Sequence, residues 1–410
     1  AKSVYAPLPS GQAKAIRRAY EIAGYGPDTV ELVEAHGTGT KAGDAAEFEG
    51  LKTVFDESGR TDRNWCALGS VKSQVGHTKA AAGAAGLFKA VMALRHGALP
   101  PTIKVDRPNP NMGIDESAFH INTVARPWVR GAAHPRRAGV SSFGFGGSNF
   151  HLAVEEYTGD LRKPRLNSMG SWLVLLAGAS AEAVAAEATT LAADAQVPGF
   201  LPWLSHDSTS RFDRTAPARL ALVATDADDL HAKLTDAAAR IRSKGEAFSK
   251  PDGTSFGLGT VDGKVAFVFP GQGSQYVGMG GAVAIHAEPA LAAWDAVADL
   301  ELGDHRLQDV VYPRPVFTPE DTAAQSQRIT ATEWAQPAIG VTSQASHAVA
   351  RAVGLTPDAV AGHSYGEVTA LHAAGCYDAE TMVRIARKRG ELMRDAAAGD
   401  GTMTAVARPA

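Results

Sequence analysis

The sequence contains few cysteines. Its 410 residues include only Cys66 and Cys376, which lie far apart and without metal-ligand spacing around them. Cysteines at short, regular spacings mark disulfide-rich secreted domains and zinc sites, so neither class fits this chain. The scarcity of cysteine favours a reducing compartment. We therefore expect a cytoplasmic protein that holds no metal.

Neither a charge surplus nor a long apolar run is present. The chain carries 40 Lys and Arg against 44 Asp and Glu, a formal net charge of -4. Without a basic surplus, no global field attracts nucleic acid or an anionic membrane. No apolar run approaches the ~18 to 20 residues of a membrane span, and the N-terminus lacks the charged-then-apolar pattern of a signal peptide. Small-molecule or protein substrates are therefore expected.

The length predicts two or three domains. Residues 1–157 alternate short apolar segments, glycine turns and helical patterns, which favours an α/β layered domain. Residues 158–262 begin with a polar stretch at 158–165 and then repeat a strand-then-helix pattern, which predicts a small α/β linker module. A new apolar strand opens residues 263–410. The chain starts at Ala1 and ends just after a helical pattern, so we expect a piece of a longer polypeptide.

A serine lies between two glycines in the run GHSYG at residues 362–366. A strand pattern precedes it and a helical pattern follows it, which is the context of a nucleophile elbow. Such a turn strains the backbone of Ser364, and the amides of the following helix, that of Tyr365 among them, can support an oxyanion. The glycine-rich run FPGQGSQ at 269–275 also ends a strand pattern, and its Gln272 could add another donor. The alternative is an ordinary turn that needs glycine.

A helical pattern over residues 379–396 carries an arginine on its apolar face. At ~100° per residue, Arg389 lies within about 40° of Met382, Ile385 and Met393. Burying a guanidinium without an anionic partner is expensive, so a partner is expected. That partner could be an internal Asp or Glu. It could instead be a substrate carboxylate, which a guanidinium binds through two parallel hydrogen bonds.

Four motifs in the last third of the chain resemble the malonyl-CoA:acyl-carrier-protein acyltransferase domains of polyketide and fatty-acid synthases. They are FPGQGSQ at 269–275, QP at 336–337, GHSYGE at 362–367 and RGELM at 389–393. The resemblance implies an α/β-hydrolase-like domain in which Ser364 takes the acyl group from CoA and Arg389 binds the free carboxylate of malonyl. It also implies an oxyanion hole formed by Gln272 and the Tyr365 amide, and a general-base histidine downstream of the last residue.

Three motifs in the first third resemble the C-terminal half of a β-ketoacyl synthase, which has a thiolase-like fold. They are EAHGTGT at 34–40, GSVKSQVGHTKAAAG at 69–83 and GVSSFGFGGSNFH at 139–151. Two neutral imidazoles can stabilise the enolate formed when a malonyl thioester loses carbon dioxide. The resemblance gives these roles to His36 and His77, and it implies that Lys72 shapes the local field. The other matched positions are Thr38 and Thr40, which contact the pantetheine arm, and Phe145, a mobile gate beside the acyl pocket.

The domain order resembles that of type I polyketide and fatty-acid synthases. It implies a Claisen condensation of acyl and malonyl thioesters by the ketosynthase, and malonyl loading by the acyltransferase through a serine ester. The implied substrate is malonyl-CoA, with no cofactor bound directly. The implied partners are an acyl carrier protein bearing phosphopantetheine, the rest of the synthase, and a second copy paired through the ketosynthase. Segments 311–319 and 331–338 are similar to iterative polyunsaturated-fatty-acid and enediyne synthases.

Two alternatives stay open. Ketosynthases use a cysteine that would lie upstream of this sequence, and we interpret Cys66 and Cys376 as buried apolar residues. The chain alone is therefore predicted to be inactive in condensation, and it could be a scaffold. An α/β-hydrolase-type serine esterase would share the elbow at Ser364. It would need an Asp and then a His downstream, and it has no use for Arg389.

Overall fold

The structure, a computed structural model, describes residues 6–160, 170–260 and 262–396. Ala1–Arg165 and Val265–Ala410 form a larger unit, and Leu166–Lys264 forms a smaller one. Part of the expected linker stretch, residues 161–165, and the last residues, 397–410, lie outside the described residues.

The helices of the described residues are α1 (Pro9–Ala23), α2 (Lys41–Asp56), α3 (Lys72–Val75), α4 (Ala82–His96), α5 (Ala181–Asp194), α6 (Phe200–Ser210), α7 (Ala227–Lys244), α8 (Gly281–His286), α9 (Glu288–Asp295), α10 (Leu307–Val311), α11 (Pro319–Thr330), α12 (Thr332–Ala352), α13 (Gly366–Ala373) and α14 (Ala379–Ala396). The strands are β1 (Leu32–Glu34), β2 (Cys66–Gly69), β3 (Ala98–Leu99), β4 (Phe119–Ile121), β5 (Arg126–Pro127), β6 (Arg137–Phe143), β7 (Asn149–Glu155), β8 (Trp172–Gly178), β9 (Ala218–Ala224), β10 (Phe248–Ser249), β11 (Ser255–Leu258), β12 (Ala266–Phe269) and β13 (Ala359–Gly362). This mixture confirms the expected α/β class.

A five-stranded sheet organises the first part of the larger unit, in the order β4-β2-β1-β6-β7. The β1–β2, β1–β6 and β2–β4 pairs are parallel, whereas β6 and β7 are antiparallel. β1 is buried throughout because both faces of the sheet are covered. Leu32 joins the core of α4, and Val33 joins the core of α1 and α2. Parallel strands end at the same sheet edge. The loop after β1, which carries His36, therefore lies beside the loop after β2, which leads to Lys72 at the start of α3.

The sequence pattern predicts a helix from about Thr78 to Leu94, and in the structure this helix begins later. α4 starts at Ala82, after a short 3-10 turn over Lys79–Ala81. The φ angles are 75° at Gly76 and 54° at Lys79, in the left-handed region that cannot continue a right-handed helix. The backbone therefore forms a loop here, and this loop carries His77.

The second part of the larger unit places helices around a parallel pair of strands. β12 and β13 pair in register from Ala266 opposite Ala359 to Phe269 opposite Gly362. The long helix α12 packs against α14 and α9 in a core that includes Trp294, Ile339 and Met382. The parallel pairing brings the loops after β12 and β13 to one edge, and these loops carry the two glycine-rich motifs.

Pro337 lies inside α12 and removes one of its hydrogen bonds. A proline has no backbone N–H, so the carbonyl four residues earlier, at Glu333, loses its helical donor. An Arg387 side-chain nitrogen, on α14, lies 3.5 Å from that carbonyl oxygen. The two helices also meet very closely at Gly390, where a Cβ would lie 2.5 Å from the Glu333 Cα. The register of α14 against α12 is thereby fixed at this point.

A buried ion cluster joins the two parts of the larger unit. The Arg136 side chain is 2% exposed and contacts Glu156 at 2.9 Å and Asp295 at 2.7 Å. Its Nε donates to the Trp128 carbonyl at 2.6 Å. Burial raises the pKa of Asp295, while the Arg136 charge opposes that rise. Removing Arg136 would therefore leave a largely buried carboxylate without its main counter-charge.

The smaller unit has a four-stranded antiparallel sheet in the order β10-β11-β9-β8. Two strand-then-helix repeats were expected, and the structure confirms them as β8 with α5 and β9 with α7. Sequence reasoning missed α6, which packs on β8 and donates a hydrogen bond from Ser205 Oγ to the Leu173 carbonyl at 2.7 Å. Alternate residues of β8 and β9, such as Val174 and Leu220, are buried beneath the helices.

The two cysteines differ in their surroundings. Cys66 is buried in β2, as expected, and burial raises the pKa of its thiol. The expectation that Cys376 is buried is wrong, because this residue is exposed. It follows Gly375, whose φ of 83° reverses the chain at the end of α13. Within the described ranges, none of the helices has the length and apolar character needed to cross a membrane.

Candidate active sites

Ser364 occupies a strained turn between β13 and α13. Its φ angle is 55°, in the left-handed region, which costs a non-glycine residue about 1–3 kcal/mol. A Cβ on Gly362 would lie 2.0 Å from the carbonyl carbon of Gly366, and one on Gly366 would lie 2.1 Å from the Phe269 oxygen. Both glycines are therefore required by close backbone approach. The strand, the strained serine and the helix together have the geometry of a nucleophile elbow.

The loop after β12 lies directly against this serine. A Cβ on Gly271 would be 2.6 Å from the His363 oxygen and 3.2 Å from the Ser364 Cβ. Gln272 follows in the chain, and its Oε1 accepts a hydrogen bond from Thr332 Oγ at 2.9 Å. Because Thr332 holds the side-chain carbonyl oxygen of Gln272, the NH2 group of this glutamine is directed away from Thr332 and can donate to another acceptor. The Tyr365 amide lies just ahead of the first residue of α13, where the helix dipole favours negative charge.

Arg389 lies at the border of the buried face of α14. Met382 is fully buried, but Ile385 and Met393 are 38% and 43% exposed, so the predicted apolar face is narrower than expected. Arg387 and Arg394 pair with Glu391 and Glu333, respectively. The half-buried Arg389 differs, because its Nη1 donates to the neutral amide oxygen of Gln336 at 2.8 Å. A neutral amide orients a guanidinium without cancelling its charge.

A directional chain of hydrogen bonds joins Arg389 to Gln272. Arg389 donates to Gln336 Oε1, and Gln336 Nε2 donates to Thr332 Oγ at 2.9 Å. Thr332 then donates to Gln272 Oε1 at 2.9 Å. Gln336 is fully buried, so both ends of its amide need partners. Through this chain the arginine is linked to the loop that contacts Ser364.

The second site brings His36, His77 and Lys72 together. The two imidazoles meet edge to face, with ring centroids 5.5 Å apart at an interplanar angle of 84°. Lys72 begins α3 directly after the β2 loop, and its Nζ donates to the His36 carbonyl oxygen. The His36 and Gly37 amides donate to the Glu47 carboxylate at 2.7 and 2.8 Å. The three predicted residues therefore share one loop cluster, braced from α2.

Burial and positive charge keep both imidazoles neutral. Desolvation, followed by the charge of Lys72 and the proximity of His77, lowers the pKa of His36 to about 4. The pKa of His77 is lowered as well, first by desolvation and then by Lys72 and Lys79. Burial also raises the pKa of Glu47 to about 7, although its two backbone hydrogen bonds oppose the rise. Near neutral pH both histidines can donate a hydrogen bond without acting as strong acids.

The remaining predicted residues lie in the loop after β1 and in the turn between β6 and β7. Thr38 and Thr40 lie on the exposed loop after β1, with their hydroxyl oxygens 2.9 Å apart. Thr40 Oγ also accepts from the Gly43 amide at 3.1 Å and caps α2. Phe145 lies in a 3-10 turn over Phe145–Gly147, between β6 and β7. Phe143, at the end of β6, contacts His36 with ring centroids 5.9 Å apart.

Sequence reasoning missed three groups that hold these sites. Thr332 is four residues before Gln336, a spacing that places both on one side of a helix and could have indicated the contact. Glu47 gave no comparable signal, because it contacts His36 only once α2 packs under the loop. The buried Glu34–Lys89 pair, 3.0 Å apart, joins α4 to β1, the strand that precedes His36.

Three family models match successive parts of the chain. Residues 1–106 match the beta-ketoacyl synthase C-terminal domain, residues 108–220 the ketoacyl-synthetase C-terminal extension, and residues 266–410 the acyl transferase domain. The chain contains the C-terminal domain of a beta-ketoacyl synthase and an acyl transferase domain. Both are domains of acyl-transferring enzymes.

Curated relatives align with almost the whole chain. The chain is 37% identical to a polyunsaturated fatty acid synthase subunit of Thraustochytrium, over 100% of this chain and 16% of that protein. It is 38% identical to the phenolphthiocerol synthesis polyketide synthase Pks15/1 of Mycobacterium bovis, over 98% of this chain and 19% of the relative. It is 36% identical to erythronolide synthase EryA3 of Saccharopolyspora erythraea, over 95% of this chain and 12% of the relative. The chain thus spans less than a fifth of the length of these relatives.

Among solved structures, the ketosynthase from module 6 of the bacillaene synthase of Bacillus subtilis 168 is 33% identical. The match covers 59% of this chain and 41% of the ketosynthase chain, with a TM-score of 0.38.

Proposed function

We propose that the chain contributes acyl-loading and condensation residues to a type I polyketide or fatty-acid synthase. The observation that carries the proposal is the strained Ser364, whose neighbouring loop is hydrogen-bonded through Thr332 and Gln336 to Arg389. A hydroxyl on an elbow can attack a thioester, and a guanidinium oriented by a neutral amide retains charge for a carboxylate. Together these groups favour an acyl donor that carries a free carboxylate, as malonyl-CoA does.

In the proposed loading step, Ser364 Oγ attacks the thioester carbonyl carbon of malonyl-CoA. The negative charge that develops on the carbonyl oxygen is stabilised by Gln272 and the Tyr365 amide at the start of α13. The C–S bond then breaks, a serine ester forms, and CoA leaves with the proton that the serine hydroxyl gives up. Transfer to the phosphopantetheine thiol of an acyl carrier protein reverses these bond changes and frees Ser364.

In the proposed condensation site, His36 and His77 donate hydrogen bonds to the thioester oxygen as malonyl loses carbon dioxide. Their lowered pKa values support this role, because a neutral imidazole can donate without protonating the enolate carbon. Lys72 contributes positive charge beside them. We propose that Thr38 and Thr40 contact the pantetheine arm, and that Phe145 gates the acyl pocket.

The partners and limits of the domains belong to the same proposal. We assign residues 1–157 to the ketosynthase, 158–262 to the linker module and 263–410 to the acyltransferase. An acyl carrier protein, the rest of a synthase and a second copy paired through the ketosynthase are the expected partners. We include an iterative, polyunsaturated-fatty-acid-type synthase in this proposal, and the chain is 37% identical to a polyunsaturated fatty acid synthase subunit and 38% identical to a polyketide synthase.

The test measures whether Arg389 recognises a carboxylate. In a Ser364→Ala chain, which cannot form the ester, the dissociation constants of malonyl-CoA and acetyl-CoA are measured by isothermal titration calorimetry. Arg389→Met should weaken malonyl-CoA binding by about tenfold to a hundredfold, because charge-assisted hydrogen bonds are lost, and should leave acetyl-CoA unaffected. Arg384→Met is the matched control, since Arg384 is on the same helix but exposed and paired with Glu380.

An equal loss of affinity for both thioesters, or no loss of affinity for either, would refute the carboxylate role of Arg389. A serine esterase should bind both thioesters alike and keep its ester hydrolysis after Arg389→Met. Mass spectrometry of the native chain incubated with malonyl-CoA addresses the scaffold alternative. A malonyl adduct on Ser364 would show that the chemistry is retained.

A further inference from the structure

We propose that Thr332 is a positioning residue through which the carboxylate-binding arginine and the oxyanion loop act as one hydrogen-bonded unit. The inference rests on the proposed function, since it concerns how the same site distinguishes a malonyl-type acyl group from a neutral one. Thr332 contacts neither Arg389 nor Ser364 in the described hydrogen bonds. It acts through the two glutamines on either side of it.

The direction of the chain is set by the single hydrogen of the threonine hydroxyl. Thr332 accepts from Gln336 Nε2, so its one proton goes to Gln272 Oε1. This orientation turns the carbonyl end of Gln336 towards Arg389 and the amino end of Gln272 away from Thr332. A methyl group in place of the hydroxyl would release both side-chain amides at once.

Burial makes this arrangement difficult to replace. Gln336 is fully buried, and its alternative contact is Met393 Sδ, a weak acceptor, at 3.3 Å from Nε2. Without Thr332, Gln336 would rotate to find another partner and would no longer hold its oxygen towards Arg389. The backbone at Thr332 cannot follow, because a Cβ on Gly390 would lie only 2.6 Å from the Thr332 carbonyl oxygen. The hydroxyl, rather than the backbone, is therefore the adjustable part.

A bound carboxylate is expected to strengthen the whole chain. Hydrogen bonds in series polarise one another, so an anion bound at Arg389 should strengthen the hydrogen bonds of the chain as far as Gln272. Malonyl-type acyl groups would engage the arginine end of the chain through their carboxylate, whereas acetyl has no carboxylate and would not. The selectivity of the site then depends on Thr332 although it does not touch the carboxylate.

The experiment uses the same Ser364→Ala chain and the same two thioesters. Thr332→Val should weaken malonyl-CoA binding by about tenfold and change acetyl-CoA binding less than about twofold, whereas Thr332→Ser keeps the hydroxyl and should bind like the parent. A merely structural role would weaken both ligands together, and that result would overturn the inference. Thr332→Ala gives the same comparison if valine at this position prevents folding, which circular dichroism detects.

A double-mutant cycle separates this inference from the proposed function. If Thr332 acts through Arg389, Thr332→Val has no further effect on malonyl-CoA binding in an Arg389→Met chain. Additive losses would overturn the positioning role while leaving the carboxylate role of Arg389 intact. If Arg389→Met itself leaves malonyl-CoA binding unchanged, the proposed function fails, and the inference fails with it.

Discussion

His36 should stay a neutral imidazole at physiological pH, and Lys72 should be part of the cause. The folded pKa of His36, about 4 against 6.5 for an unperturbed histidine, makes protonation of the folded chain unfavourable near neutral pH. Desolvation is the largest cause, followed by the charge of Lys72. Lys72→Met keeps the apolar stem and removes the charge. The pKa of His36 should therefore rise, but it should stay below 6.5 because burial remains.

The sign of the stability effect follows from the same shift. Between pH 6.5 and about 4 the unfolded chain binds a proton at His36 that the folded chain does not, so the free energy of unfolding falls as pH falls through this window. In Lys72→Met the fall should be shallower. Imidazole 15N chemical shifts, assigned with His36→Gln and followed from pH 8 to 3.5, measure the pKa directly. Lys52→Met, at an exposed lysine on α2, is the control.

Two results would refute this reasoning. Titration of His36 near 6.5 in the native chain would mean that the loop does not desolvate the imidazole. An unchanged pKa of His36 in Lys72→Met would mean that the ammonium charge is screened from the ring. Either result would remove the electrostatic support for His36 as a neutral hydrogen-bond donor.

Three further outcomes are expected. Arg136→Met should lower the free energy of unfolding by about 3–5 kcal/mol in urea titrations, because a buried carboxylate loses its counter-charge. Arg17→Met, at an exposed ion pair, should have a much smaller effect, and equal effects of the two variants would contradict the buried cluster. Gly390→Ala should lower the free energy of unfolding, measured in the same way, by about 1–3 kcal/mol, because the added methyl group overpacks two touching backbones. Gly257→Ala, where a Cβ meets nothing within 4 Å, should not lower it in this way. An unchanged free energy of unfolding in Gly390→Ala would mean that α14 can move. A maleimide should label the native chain once, at Cys376, and a second label before unfolding would be the contrary result.

The local features of the two sites were predictable because they depend on short segments. The residues expected to form a helix, 379–396, are helical throughout in the structure, as their apolar spacing predicts. The elbow at Ser364 was also predictable, because its glycines and flanking elements are adjacent in sequence. The α/β class followed from the same alternation of strands and helices.

What sequence reasoning missed depends on packing between distant segments. The hydrogen bond from Arg389 to Gln336 joins residues 53 positions apart and exists only because α14 lies along α12. The exposure of Ile385 and Met393 has the same origin, since α12 covers only a narrow stripe of α14. α6 was missed because its pattern includes Pro202 close to its start, and a proline there is tolerated only in the first turn.

The close contact at Gly390 limits how such a site can diversify. The two backbones touch there without an intervening side chain, which leaves the arginine-bearing helix no room to approach its neighbour more closely. Under the proposed function, new acyl preferences would therefore arise by exchanging single side chains around this contact and not by bringing the two helices closer together.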